Sequence, residues 1–189
     1  NITYLFVVSS VVMWALFLAL FLKESDILLA TYFSIIYYLA AAAIPLSFLF
    51  FSIVLVGKLN TKLLAFFLTP PLLLVTGFLL NLLISSVFPT SEGVKNVVLN
   101  KATYVYYIAY FLFYVLASYI VLIRGYLSAE DQIRKKQILL ITIGTSVSYV
   151  FGMIFNLFVP YFDNYKLVWL GPLFTVFMVG AIAYAIFKH

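Results

Sequence analysis

Nucleophilic, acid–base or metal chemistry needs histidine, cysteine or converging carboxylates. The chain has one histidine, His189, and no cysteine. No Asp, Glu, Lys, Arg or His stands in the middle of a long apolar run. What does stand there is neutral and hydrogen-bonding. Thr142, Thr145, Tyr149, Gly152 and Asn156 recur at spacings of 3, 4, 3 and 4, which puts them on one face of a helix. Gly144, Ser148 and Gly152 add a row of small residues, the kind that lets two membrane helices approach closely. Tyr107, Tyr110 and Tyr114 form a second stripe, with Tyr104 one turn before it. Asn81 interrupts another apolar run, and Gly171 with Pro172 interrupt a third. Phenols, hydroxyls and amides of this kind recognise a neutral partner or satisfy one another. The first stripe reads either as a helix–helix packing seam or as a seam that opens into a pocket at its outer end.

The same inventory excludes several functions. Ion pumps, proton-coupled carriers and voltage sensors need charges inside their spans. Intramembrane metalloproteases and Ser-His proteases need histidine there. No glycine-rich phosphate loop and no paired carboxylates occur, so no catalytic residue, metal ligand or cofactor is expected. Without cysteine there is no disulfide and no thiolate site.

These side chains need helices to hold them. Of 189 residues, 66% are hydrophobic, 20% aromatic and only 9% charged, against about 25% charged in a soluble domain. The chain is read as an integral membrane protein. Six runs approach or exceed the ~20 apolar residues that a spanning helix needs: about 3–22, 27–57, 63–88, 103–127, 137–160 and 167–187. The expected fold is therefore an all-α bundle in a single domain, 1–189. None of the runs shows strand-type alternation, and their length excludes a barrel. Residues 58–62 and 161–166 are tight links, and 89–102 reads as a longer loop. Pro45 interrupts the second run, and Pro70 with Pro71 the third, as bends. No cleavage site follows the first run, and both ends of the chain read as cut.

Alternating the helices across a bilayer collects Lys58, Lys62, Arg124, Arg134, Lys135, Lys136 and Lys188 on one side with Glu130 and Asp131. Lys23, Lys95, Lys101 and Lys166 fall on the other with Glu24, Asp26, Glu92 and Asp163. The net charges are +5 and 0. The positive-inside rule assigns the first side, and the C-terminus, to the cytoplasm. The net positive charge of the chain thus points to a membrane surface and not to nucleic acid. Tyr104, Tyr106 and Tyr107 then fall at the outer interface, where an aromatic belt accounts for them. Asn81, Asn156 and Pro172 fall at similar depth in the outer half. Pro172 has no N–H and is expected to free a carbonyl near Val168.

The last third carries a resemblance. Arg134 and Gln137 lead into Leu139, Leu140 and Gly144. Gly152, Asn156 and Pro160 follow, then Leu170, Gly171, Pro172 and Leu173, then an Ala-Ile-Ala-Tyr-Ala-Ile stretch at 181–186. The pattern resembles the N-terminal seven-helix membrane region of bacterial sensor histidine kinases. Trp14 is similar to the tryptophan of that family's second helix. On that match the six runs are helices 2–7, with one helix before Asn1. The resemblance implies a sensor and signal-transduction module of a bacterial inner membrane. Its last helix would leave through Lys188 and His189 for a cytoplasmic kinase or other effector. A small-molecule or lipid-like ligand in the outer half is implied as stimulus, with Asn81, Tyr107, Tyr110, Tyr114, Tyr149, Asn156, Gly171 and Pro172 as pocket candidates. A homodimer is possible on the same grounds. The rival functions are a small-molecule channel or facilitator and a structural anchor that dimerises an effector.

Overall fold

The computed structural model describes residues 2–57, 61–80, 82–89 and 95–188, with the backbone alone at 61–65 and 95. Among the described residues it is a bundle of six helices: α1 (Ile2–Lys23), α2 (Ile27–Val56), α3 (Thr61–Leu79), α4 (Lys101–Ser128), α5 (Gln132–Tyr161) and α6 (Leu170–Lys188). Five are long and apolar enough to cross a membrane, and α3 contributes the shorter apolar helix Phe66–Leu79. Side-chain carboxylate or amide caps start three of them. Asp26 accepts from Leu29 N, Asn100 from Ala102 N and Thr103 N, and Asp131 from Ile133 N, satisfying amides that have no partner within the helix.

Five helices close a ring. α1 packs on α2, α2 on α4, α4 on α5, α5 on α6, and α6 returns to α1. α3 leans on α2 and α4 from outside. Pro45 and the Pro70–Pro71 pair do not divide their helices, which run through them without a break.

The third run was expected to stay helical to residue 88, and it does not. α3 ends at Leu79, and Ile84–Pro89 (β1) pairs antiparallel with Lys95–Leu99 (β2). In the segment read as a loop at 89–102, Pro89 and Lys95–Leu99 are thus strand. A continuous apolar run is ambiguous between helix and buried strand. Here the β-branched Ile84, Val87, Val97 and Val98 and the Pro89 terminus decide for the hairpin. Leu83, Ile84, Val87, Val97 and Leu99 are buried. Tyr165, in the link before α6, covers the hairpin and donates its phenol to Val97 O at 3.1 Å. Burial there pushes the Tyr165 phenol well above its ordinary range.

α6 starts at Leu170, three residues later than expected; in the link before it Tyr165 bonds to the hairpin and Val168 is buried. Gly171 and Pro172 therefore lie in the first turn of α6 and not inside it. An amide at that position has no helical partner in any case, so proline is well accommodated. The carbonyl of Val168 is not free, since Gly171 N donates to it at 3.3 Å.

At the opposite end, α5 ties two other helices. Arg134 Nη2 donates to Leu55 O at 2.9 Å and Val56 O at 2.8 Å, the last carbonyls of α2. A guanidinium at a helix C-terminus also meets the negative end of its dipole. Gln137 Nε2 donates to Ala185 O of α6 at 3.1 Å.

Candidate functional site

The α4 phenols do not form an interfacial belt. Tyr104, Tyr107 and Tyr114 are fully buried, and Tyr110 nearly so. Each donates to a carbonyl of another helix, and two of those carbonyls have lost a partner to proline. Pro71 has no N–H for Phe67 O four residues earlier; Tyr114 Oη supplies a proton at 2.6 Å. Pro160 likewise deserts Asn156 O, and there α5 relaxes into a π-helical turn, Ile154–Phe158. Tyr104 Oη spans Asn156 O at 3.3 Å and Leu157 O at 3.1 Å. Tyr107 donates to Tyr38 O at 2.9 Å and Tyr110 to Ala42 O at 3.0 Å, on either side of Ala41, which precedes Pro45 by four residues. Tyr106 remains at the surface, 40% exposed, as a belt residue should.

Inside the ring lies a cavity. The space open to the centre of a water molecule is about 40 Å³, roughly three times what one water needs (~10–15 Å³). Trp14 of α1, Tyr37, Tyr38, Ala41 and Ile44 of α2, and Tyr107 and Phe111 of α4 wall one side. Ser148, Tyr149, Gly152, Met153, Asn156 and Leu157 of α5, with Thr175 and Met178 of α6, wall the other. None of these side chains carries a charge.

Three buried polar atoms among the described residues have no hydrogen-bond partner: Tyr37 Oη, Tyr149 Oη and Asn156 Oδ1. All three residues line this cavity. Tyr37 and Tyr149 are 3% and 5% exposed. Their rings are held firmly. Tyr37 stacks on Tyr38 at 4.5 Å and tilts against Phe21 at 5.4 Å. It lies within electrostatic reach of the Tyr38 phenol without making a well-formed bond to it. Tyr149 sits among Phe48, Phe111 and Tyr119 at 5.3, 6.2 and 6.2 Å. Asn156 donates an amide N–H to Gly152 O at 3.2 Å, and its Oδ1 is buried without a partner. Unpaired polar atoms cost about 1–3 kcal/mol each in a protein interior, so three in one cavity set it apart from a packing void.

Asn156 also touches the next helix. A Cβ built on Gly171 would overlap the Asn156 amide, with Cγ at 2.6 Å and Oδ1 at 2.8 Å. Any side chain at 171 would have to displace the Asn156 amide. The head of α6 thus rests on a cavity residue.

The predicted stripe divides along its length. Tyr149, Gly152 and Asn156 line the cavity together with Ser148 and Tyr107. Thr142 and Thr145 donate to their own helix, at Ile138 O and Ile141 O, and Thr145 Oγ1 also meets Tyr119 Oη at 3.1 Å. Gly144 lies directly against Ala181 of α6, and Ser148 donates to Phe174 O at 2.5 Å. Those two form the close α5–α6 seam. Gly152, expected in that seam, faces open space instead. Tyr110 and Tyr114, expected in the pocket, are consumed by α2 and α3. Pro172 does not line the cavity; its carbonyl accepts from Thr175 at 2.7 Å. Asn81 and His189 lie outside the described residues. Lys188 ends α6 with its ammonium against the Tyr184 hydroxyl.

Sequence reasoning missed Tyr37, Tyr38, Thr175 and Met178 and did not place Trp14 at the cavity. The signal for Tyr37 and Tyr38 was available: two adjacent phenols deep in an apolar run each need a partner.

The fold and the cavity define a polytopic helical membrane bundle with a neutral, phenol-rich interior. The chain belongs to the family described as the N-terminal 7TM region of histidine kinase, whose sequence profile matches residues 1–189. The resemblance, whose specific motifs lie in the last third, holds over the whole chain. No curated protein and no solved structure matches it. Family membership makes the bundle a membrane-embedded signalling module of a histidine kinase, the region that precedes the kinase's cytoplasmic part.

Proposed function

We propose that the bundle senses a small, neutral or weakly polar ligand in the ring cavity and relays its presence through α6 to a cytoplasmic histidine-kinase effector. One observation carries this reading: Tyr37, Tyr149 and Asn156, each with a buried polar atom that has no hydrogen-bond partner, all line one cavity. A ligand that engages Asn156 bears on Gly171, against which the amide is wedged, and so on the head of α6. The far end of α6 is held to α5 by Gln137. A shift at the head is passed along a helix fixed at both ends. The mechanism requires that the ligand favour one arrangement of α6 over another by differential affinity. The end with Arg134, Lys135, Lys136 and Lys188 is taken as cytoplasmic from its excess of basic residues, which directs the end of α6 toward the effector.

The test is autophosphorylation by a kinase that carries this chain as its membrane region, comparing wild type with Tyr149→Phe and Asn156→Ala at equal expression. Altered basal output or stimulus response in both variants is expected. Wild-type behaviour in both overturns the reading.

A further inference from the structure

We infer that a groove between α1 and α2, on the outside of the ring, holds an acyl chain of an anionic phospholipid whose headgroup lies at the basic end of the bundle. The site is separate from the ring cavity and does not depend on the sensory reading.

The space open to the centre of a water molecule is about 340 Å³ in this groove, against about 40 Å³ in the ring cavity. Its lining includes Thr3, Phe6 and Ser10 of α1 and Ala43, Ser47 and Phe50 of α2. No residue of α4, α5 or α6 contributes, nor do Val7, Val11 and Trp14, which α1 buries in the core. Phe6 is 61% exposed. The groove therefore opens away from the ring, toward lipid.

The residue types fit a hydrocarbon. Ser10, Ala43 and Ser47 are too small to fill the space between the helices. Ser10 Oγ donates to Phe6 O at 2.8 Å and Ser47 Oγ to Ile44 O at 2.9 Å, so both hydroxyls bond within their own helices. None of the unpartnered buried polar atoms among the described residues belongs to this wall. A guest gains apolar contact there and is asked for no hydrogen bond. A water takes ~30 Å³ in the liquid and a methylene is about as large, so there is room for roughly ten. Thr3 and Phe50 mark one end of the groove, Ser10 and Ala43 the other. Seven residues at ~1.5 Å each make it roughly 10 Å long, a third of the ~30 Å hydrocarbon core. A spanning helix from a second copy would need a track along ~20 residues. The groove suits the part of an acyl chain nearest its headgroup.

The sign of the headgroup follows from what stands beyond Phe50. α2 ends at Val56, six residues or roughly 9 Å further on. There Arg134 donates to Leu55 O and Val56 O at 2.9 and 2.8 Å and remains exposed. Lys58 follows two positions later in the sequence. The residues at this end of the bundle sum to +5 and those at the other to 0. Asp131, three residues before Arg134, is committed to the α5 cap. One basic residue near a membrane surface favours anionic lipid by about fivefold.

The test uses a full-length kinase with this membrane region in phosphatidylcholine nanodiscs. A trace of phosphatidylglycerol carries a diazirine on its acyl chain close to the glycerol, and light-induced adducts are mapped by mass spectrometry. Leu5 is 60% exposed beside Phe6 but does not line the groove, and Ile123 of α4 is 52% exposed. An excess of adducts at Phe6, Ser10, Ser47 or Phe50 over Leu5 and Ile123 is expected. A phosphatidylcholine probe with the same chain should give about fivefold fewer groove adducts. Arg134→Gln should remove most of that preference and leave the remaining adducts in the groove. Ala43→Phe fills the groove and abolishes the excess; should that variant not fold, Ser10→Leu reports the same loss. Equal labelling of Phe6 and Leu5, equal labelling by the two headgroups, or an excess that survives both groove-filling changes overturns the site. Groove residues that crosslink to a second copy of the chain instead of to lipid overturn it as well.

Discussion

Tyrosine-to-phenylalanine replacement removes one oxygen and leaves the ring in place, yet its sign should reverse across this bundle. Tyr104 Oη caps two carbonyls beside the π-helical turn, one of them deserted by Pro160. Its removal strands buried acceptors where no water competes. Side-chain hydrogen bonds within membranes are worth about 0.6 kcal/mol on average and up to ~1.7, and a stranded buried acceptor raises the loss toward 1–3 kcal/mol. Tyr104→Phe should therefore destabilise by about 1–2 kcal/mol. Tyr149→Phe deletes a buried hydroxyl that has no partner. It relieves a desolvation cost and should leave stability unchanged or raise it by about 1–2 kcal/mol. The two isosteric variants should thus differ by roughly 2 kcal/mol, about thirtyfold in the unfolding equilibrium. Reversible unfolding in mixed micelles with increasing SDS, followed by far-UV circular dichroism, measures both. A loss in Tyr149→Phe as large as in Tyr104→Phe would show that the Tyr149 hydroxyl already has a partner in the fold, and the cavity argument would fall with it.

Three further outcomes follow from particular contacts. Gly171→Ala should destabilise by about 1–3 kcal/mol through overlap with the Asn156 amide, and Asn156→Ala should restore most of the loss. A double-mutant cycle in the same unfolding assay checks this, and independent, additive losses would refute the contact. Gly144→Ala should behave likewise against Ala181, with Ala181→Gly as the compensating change. Arg134→Gln should free the last carbonyls of α2 and cost about 0.5–1 kcal/mol at this exposed site. Faster amide exchange confined to the end of α2 and the start of α5 is the expected signature, and protection unchanged there would refute the cap.

The spans were legible because their signal is redundant: twenty apolar residues in a row admit few structures in a bilayer. The hairpin was not, because residues 80–88 are as apolar as the helix before them and their alternation is short. The α5 stripe was legible as a face, since 3.6-residue periodicity survives any tertiary context. Which part of the face packs and which part opens was not. That depends on Gly144 meeting Ala181 while Gly152 meets nothing, a difference set by the partner helix. Tyr37 and Tyr38 escaped notice for a related reason. Two adjacent phenols in an apolar run signal a need for partners, but which cavity they line is set by α1, α4 and α5 closing around α2.

Proline and tyrosine are coupled in this bundle. Each proline in a span leaves a carbonyl without its helical partner, which in a bilayer must be met from elsewhere. Two of these debts, at Phe67 and Asn156, are met by tyrosines of α4, and two more α4 phenols bond to α2 below and above the turn that Pro45 perturbs. α4 is therefore a strap: one face of phenols spaced three and four residues apart fastens α2, α3 and α5 at their weakest backbone points. With the strap in place, the four buried α4 phenols each have an assigned carbonyl, as does Tyr165. Tyr37 and Tyr149 are left out, although they come from helices the strap fastens and are as deeply buried as the phenols it uses. Their isolation cannot be put down to a loose interior, because the surrounding rings fix them within 4.5–6.2 Å on several sides. A wall that brings three residues with unpaired polar atoms to one cavity is the arrangement expected of a site prepared for a guest, and Asn156, one of the three, is also the residue on which α6 rests.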